Sequence, residues 1–177
     1  MKHKINKNFV EIKKGYSNLS SVPATIKSLS EAGKKLGGFI QIVSASCVVS
    51  EKQVLAALKY TYDSFEAGTN RLKSPELEFL LALTATRQLE GAISVCELPE
   101  GKSPCVLVVC AQDNKTVSSL LSQAKKITGF SEKKIQSPQS NEICKLFKIS
   151  PAEINSLGVK KNALELLVLE KIALSRL

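Results

Sequence analysis

Along 177 residues the apolar positions fall mostly at helical spacing, with three short stretches that read as strands. Residues 8–14 alternate through Phe9, Val10 and Ile12, and Gly15 and Asn18 are expected to end that strand. Residues 39–43 form a second. Residues 105–110, Cys-Val-Leu-Val-Val-Cys, are continuously apolar, as a strand buried on both faces would be. Pro23 opens a helix with Ile26, Leu29, Ala32 and Leu36 on one face and lysines on the other, stopped by Gly37-Gly38. Ser50 and Gln53 suggest a capping box ahead of a stripe of Val54, Leu55, Leu58, Tyr62 and Phe65, which closes at Gly68. Asn114 is expected to cap a helix that buries Val117, Leu120, Leu121, Ala124 and Ile127 and ends at Gly129. Residues 99–104 read as a turn-rich connection and 131–140 as a loop. Short helices over 141–147 and 151–157 precede a last helix capped by Asn162, with Glu165 three residues on. The pattern predicts a single α/β domain over residues 1–177, with a small sheet of about three strands, about seven helices and a helical C-terminal half.

The most informative stretch is 74–90. Ser74 is placed to cap, Pro75 suits the first helical position, and Glu76 and Glu78 sit at the positive end of the dipole. Their i, i+2 spacing puts the two glutamates on different faces, so helix-start electrostatics explain them better than a carboxylate pair. Residues 79–83 are apolar all round, which predicts a buried helix running through about Thr86. Arg87 and Gln88 then leave the apolar run, before Leu89, Ala92, Ile93 and Cys96 resume helical spacing. Two readings stay open: fixed polar groups presented at the edge of a core, or a guanidinium satisfying the carbonyls at a helix end.

Composition narrows the class. A chain that is 44% hydrophobic and this long can bury one good core, built from aliphatic residues because Trp is absent and aromatics are 5%. No apolar run reaches 18 residues and the basic start lacks a signal-like apolar core, so the expectation is a cytoplasmic protein with no membrane contact. Cys47, Cys96, Cys105, Cys110 and Cys144 are odd in number, form no Cys-x-x-Cys pair and lie in apolar sequence. With His3 the only histidine, no metal site is expected, and the cysteines read as reduced core residues.

The charge of +9 is uneven: residues 1–37 hold eight Lys against two Glu, 38–114 six basic against nine acidic, and 115–161 nine Lys against three Glu. Such blocks attract polyanions, RNA being the obvious soluble one, or simply solvate helix faces. RNA is held by Arg and Lys on phosphates, with amides and stacking surfaces reading bases. Asn70, Arg71 and Lys73 offer such groups on the loop after Gly68, with Lys59 on the polar side of the preceding helix as a phosphate partner. Arg87 and Gln88 offer a second group beyond the following helix.

Catalysis has little to rest on. Asp63 and Asp113 are the only aspartates, Gly37-Gly38 leads into a strand with no following Lys-Ser/Thr, and no nucleophile elbow is present. The expectation is a non-enzyme without cofactors. In the last helix Leu166, Leu169, Ala173 and Leu177 share one face, while Leu164, Leu167, Val168 and Leu174 fall on the other. Docking onto the chain's own core needs one such face. The second either marks an interface or is covered within the fold.

Gly68-Thr69-Asn70-Arg71, Glu76-Leu77-Glu78, Thr86-Arg87-Gln88-Leu89 and the ending 164–174 together resemble the small accessory subunit of the KEOPS (EKC) complex. The likeness covers roughly residues 50–111 and the C-terminus. It implies a subunit of the assembly that adds threonylcarbamoyl to the adenosine next to the tRNA anticodon. Such a subunit would bind and help activate the small atypical kinase/ATPase subunit through its last helix, with Leu164, Leu167, Val168 and Leu174 as interface candidates. It would also help recruit tRNA by its 3′ end, and be a monomer outside the complex. A free-standing RNA-binding or adaptor protein is the alternative.

Overall fold

The computed structural model describes residues 2–158 and 162–175. Contacts divide the chain into two compact units, one from residues 1–45 and 97–136 and the other from 46–96 and 137–177. The second unit is thus entered between two strands of the first.

The first unit is an antiparallel sheet with two helices on one face. Its strands are β1 (Lys2–Ile5), β2 (Asn8–Leu19), β3 (Gly38–Ser44), β4 (Gly101–Ala111) and β5 (Ser131–Glu132), in the order β1-β2-β4-β3 with β5 also paired to β2. The sheet therefore has five strands among the described residues, where about three were expected. β1 and β5 are too short to leave a pattern. Gly15 does not end β2: a Cβ there would strike the Ser131 carbonyl and the Phe130 ring, so its bareness admits β5. The expected turn at 99–104 is strand from Gly101, with Pro104 opposite Tyr16 in the β2–β4 register. Helices α1 (Val22–Leu36) and α5 (Asn114–Thr128) cover one sheet face. Leu29, Val117, Leu120 and Ala124 there meet Ile40, Ile42, Leu107 and Val109. Gly38 lets α5 come close, since a Cβ there would strike the Leu120 side chain of α5, and it would also lie 2.8 Å from the Cys110 carbonyl oxygen of the neighbouring β4. Asp113, one residue before the expected cap, closes α5 by accepting from Thr116 N at 2.8 Å.

The second unit is helical among the described residues: α2 (Glu51–Ala67), α3 (Pro75–Leu83), α4 (Leu89–Cys96), α6 (Ser140–Phe147), α7 (Pro151–Ser156) and α8 (Ala163–Leu174). α2 packs on α3 and α8, and α6 and α7 pack on α8. Ile143, Phe147, Ile149, Leu167, Val168 and Ile172 form one core. With α1 and α5 this makes eight α-helices among the described residues where about seven were expected, because the run from residue 74 is broken into α3 and α4. Thr86 N donates to Leu81 O, Ala85 N to Ala82 O, and Ala85 is left-handed at φ 52°. That is a Schellman ending with Ala where Gly is usual, so no glycine announces it. The expected capping box at Ser50 is half made: Ser50 Oγ accepts from Gln53 N, while the Gln53 side chain turns inward. Asn162 sits at φ 67° and makes no side-chain cap. No helix among the described residues is long and apolar enough to cross a membrane.

α7 is tied to α8 by charge. Glu153 Oε1 accepts from Lys171 Nζ at 2.7 Å, and Oε2 from Ser150 N at 2.7 Å. These bonds, Lys171's foremost, pull the Glu153 carboxyl from 4.5 down to about 2. A depressed carboxyl stabilises the fold fully above its ordinary value and loses that effect as pH falls toward the folded one. The unfolding midpoint of the protein should therefore exceed that of Glu153→Gln above pH 4.5, and the gap should close between 4.5 and about 2. A gap that persists unchanged below that window would show that the pair contributes nothing to stability.

Candidate functional site

Gly68 ends α2 in the left-handed conformation, and Thr69 N and Asn70 N both return to Ser64 O at 2.8 and 3.2 Å. The chain then turns through residues 69–74 into α3. One buried carboxylate shapes this turn. Glu78, 1% exposed, accepts from Arg71 N at 3.1 Å and Leu72 N at 3.0 Å through the same oxygen. Asn70 Nδ2 donates to Leu72 O at 3.0 Å across the turn. Ser74 does not cap α3; its hydroxyl donates to Glu76 at 2.6 Å. Glu76 and Glu78 thus hold separate partners.

With its backbone held from inside, Arg71 is exposed, as is Lys73, and no ion pair among the described residues takes either. Asn70 is half-buried. Lys59 on α2 is exposed but paired with Asp63 at 2.8 Å, a contact that raises its pKa and that an incoming phosphate would have to displace. The structure therefore gathers Asn70, Arg71 and Lys73 on one turn. Lys59 lies more than two helical turns back along α2.

Arg87 and Gln88 lie in the break between α3 and α4, both exposed. The carbonyls ending α3 are taken by backbone amides, by Thr84 Oγ1, which donates to Leu80 O at 2.8 Å, and by Gln53 Nε2, which donates to Leu83 O at 3.0 Å. Arg87 has no part in that ending, and Gln88 N donates to Thr86 Oγ1 at 3.3 Å. The nine residues of α3, about 13 Å long at 1.5 Å per residue, lie between the two groups, one beyond each end. They are two sites at opposite ends of one buried helix.

On α8 the two apolar faces differ in exposure. Leu167 (4%) and Val168 (0%) are core, and Leu164 packs partly against the same cluster. Leu174, expected on the same face as Leu167 and Val168, is instead 53% exposed at the end of the helix, and on the other face Leu166 is 45% exposed with Leu169 and Ala173 half-buried. Leu177 lies outside the described residues. Sequence spacing defined the two faces but had no means to rank them. The anchoring role of Glu78 was also missed, because a glutamate at a helix start already has an explanation in the dipole.

Glu78→Ala should leave the partly buried amides of Arg71 and Leu72 without their acceptor and loosen the turn. The expected loss is about 1–3 kcal/mol in denaturant unfolding, with faster hydrogen exchange at Arg71 and Leu72. Exchange at those two amides matching the parent protein would show that the turn is held by other means.

Residues 16–176 match the model of one protein family, described as kinase binding protein CGI-121. None of the curated proteins compared matches the chain.

Proposed function

For a chain that belongs to the kinase binding protein CGI-121 family, we propose the role of a non-catalytic subunit of the KEOPS tRNA-modifying complex. It binds and helps activate the small atypical kinase/ATPase subunit and helps recruit tRNA. The observation that carries the reading is α8, which fills its own core with Leu167, Val168 and Ile172 yet leaves Leu166 and Leu174 about half exposed. Removing such leucines from water contributes roughly 1.5–3 kcal/mol each, which suits a docking face. The family description supplies the kind of partner, a kinase.

For tRNA the support is the turn that presents Arg71, Lys73 and Asn70. An arginine whose own amide is fixed by a buried carboxylate offers its guanidinium to a phosphate with little backbone ordering left to do. Arg87 and Gln88, beyond the other end of α3, can take a further nucleotide of an extended strand rather than close one pocket.

Leu174→Glu or Leu166→Glu should abolish kinase-subunit binding in a pull-down while the unfolding midpoint stays near that of the parent. A buried charge costs several kcal/mol, enough to remove a micromolar complex. Leu167→Ala should instead destabilise the fold by about 2–5 kcal/mol. Full kinase binding by both glutamate variants would end the docking assignment. Separately, Arg71→Glu should weaken tRNA binding at fixed low salt at least tenfold, about 1.4 kcal/mol, and leave kinase binding intact. Unchanged tRNA affinity in Arg71→Glu would move the RNA site to the lysine-rich blocks.

A further inference from the structure

The first segment of the helical unit, residues 46–96, lies between β3 and β4 in the chain. Cys47 is its second residue and Cys96 its last. The two sulfurs lie 3.7 Å apart, the Cys47 thiol donating to the Cys96 sulfur, and both side chains are buried. Cys47 is held by its backbone as well, its carbonyl accepting from Gln53 Nε2 at 2.9 Å. Between these two residues lie α2, the 69–74 turn, α3, the break and α4, which together carry all six candidate RNA residues. None of the five cysteines is in a disulfide. Cys105 and Cys110 lie an odd number of residues apart on β4 and so face opposite sides of the sheet, and Cys144 belongs to α6.

We propose that Cys47 and Cys96 are the two halves of a reversible disulfide that closes the 46–96 segment at its neck. The oxidant is a small-molecule disulfide such as oxidised glutathione. One cysteine thiolate attacks a glutathione sulfur and releases one glutathione thiolate. The second attacks the protein sulfur of that mixed disulfide and releases the other. The protein gives up two electrons and two protons, which end on two molecules of reduced glutathione. The hydrogen bond from Cys47, and then burial, push the Cys96 thiol well above its ordinary range, so thiolate is scarce and exchange is slow, passing through opening of the segment. Once formed, the bond would join residues 49 apart in sequence and restrict the unfolded chain accordingly. This inference does not depend on the kinase or tRNA reading.

The test equilibrates the intact reduced protein with a series of glutathione redox buffers at mildly alkaline pH, then counts thiols and maps the digest. The expected result is loss of two of the five thiols, a mass lower by two hydrogens, and a peptide pair joining Cys47 to Cys96. The cross-linked form should have a raised unfolding midpoint, and Cys96→Ala should lose no thiol pair. Retention of all five thiols, glutathione left on a single cysteine, a cross-link through Cys105, Cys110 or Cys144, or a midpoint unchanged by the cross-link would each overturn the proposal.

Discussion

The side-chain amide of Gln53, fully buried, satisfies three backbone groups of the helical unit at once. Its oxygen accepts from Val49 N at 2.7 Å, and its nitrogen donates to Cys47 O at 2.9 Å and Leu83 O at 3.0 Å. Both amide hydrogens and one oxygen are in use, and a buried group left unmatched here would cost about 1–3 kcal/mol. The entry into α2 and the end of α3, thirty residues on, are fixed to each other by one side chain. The same anchor holds the backbone of Cys47, whose thiol meets Cys96.

Glu78 does the corresponding work at the other end of α3. Between the two anchors the helix is apolar all round and fully buried from Glu78 to Leu83, so it has no side left for function. Its ends carry the chemistry instead. A buried polar group at each end turns the backbone sharply, and each turn puts an arginine into solvent, Arg71 at one and Arg87 at the other. Each turn is held from the core side by a buried polar side chain, Glu78 at one end and Gln53 at the other, whose loss would leave partly buried backbone groups unmatched.

Charge and contact are distributed differently. The sheet unit, residues 1–45 and 97–136, holds fourteen Lys against six acidic residues, so +8 of the chain's +9 resides there. The helical unit is nearly neutral, yet it contains every candidate RNA and kinase contact. Net charge governs long-range attraction and its salt dependence, whereas recognition depends on particular groups held in place. The membership of the family rests on residues 16–176, which span both units.

Periodicity and composition determined the main elements of this protein: the apolar β4, the glycine-ended α1, α2 and α5, the apolar α3 and the two-faced α8. These follow from local rules of spacing and capping that act within a few residues. Pattern also picked out Asn70, Arg71, Arg87 and Gln88 as polar groups beside a core. It could not find β1 and β5, because strands of four and two residues leave no period. It ran α3 on to about Thr86, because the left-handed residue that stops it is Ala85 and not glycine. Only tertiary structure decided that Glu78 turns inward to hold Arg71 and Leu72, that Cys47 meets Cys96, and that Leu167 is core while Leu166 meets solvent. Each of these outcomes depends on which surface lies opposite a side chain, and that is set by contacts between distant residues that spacing along the chain does not encode.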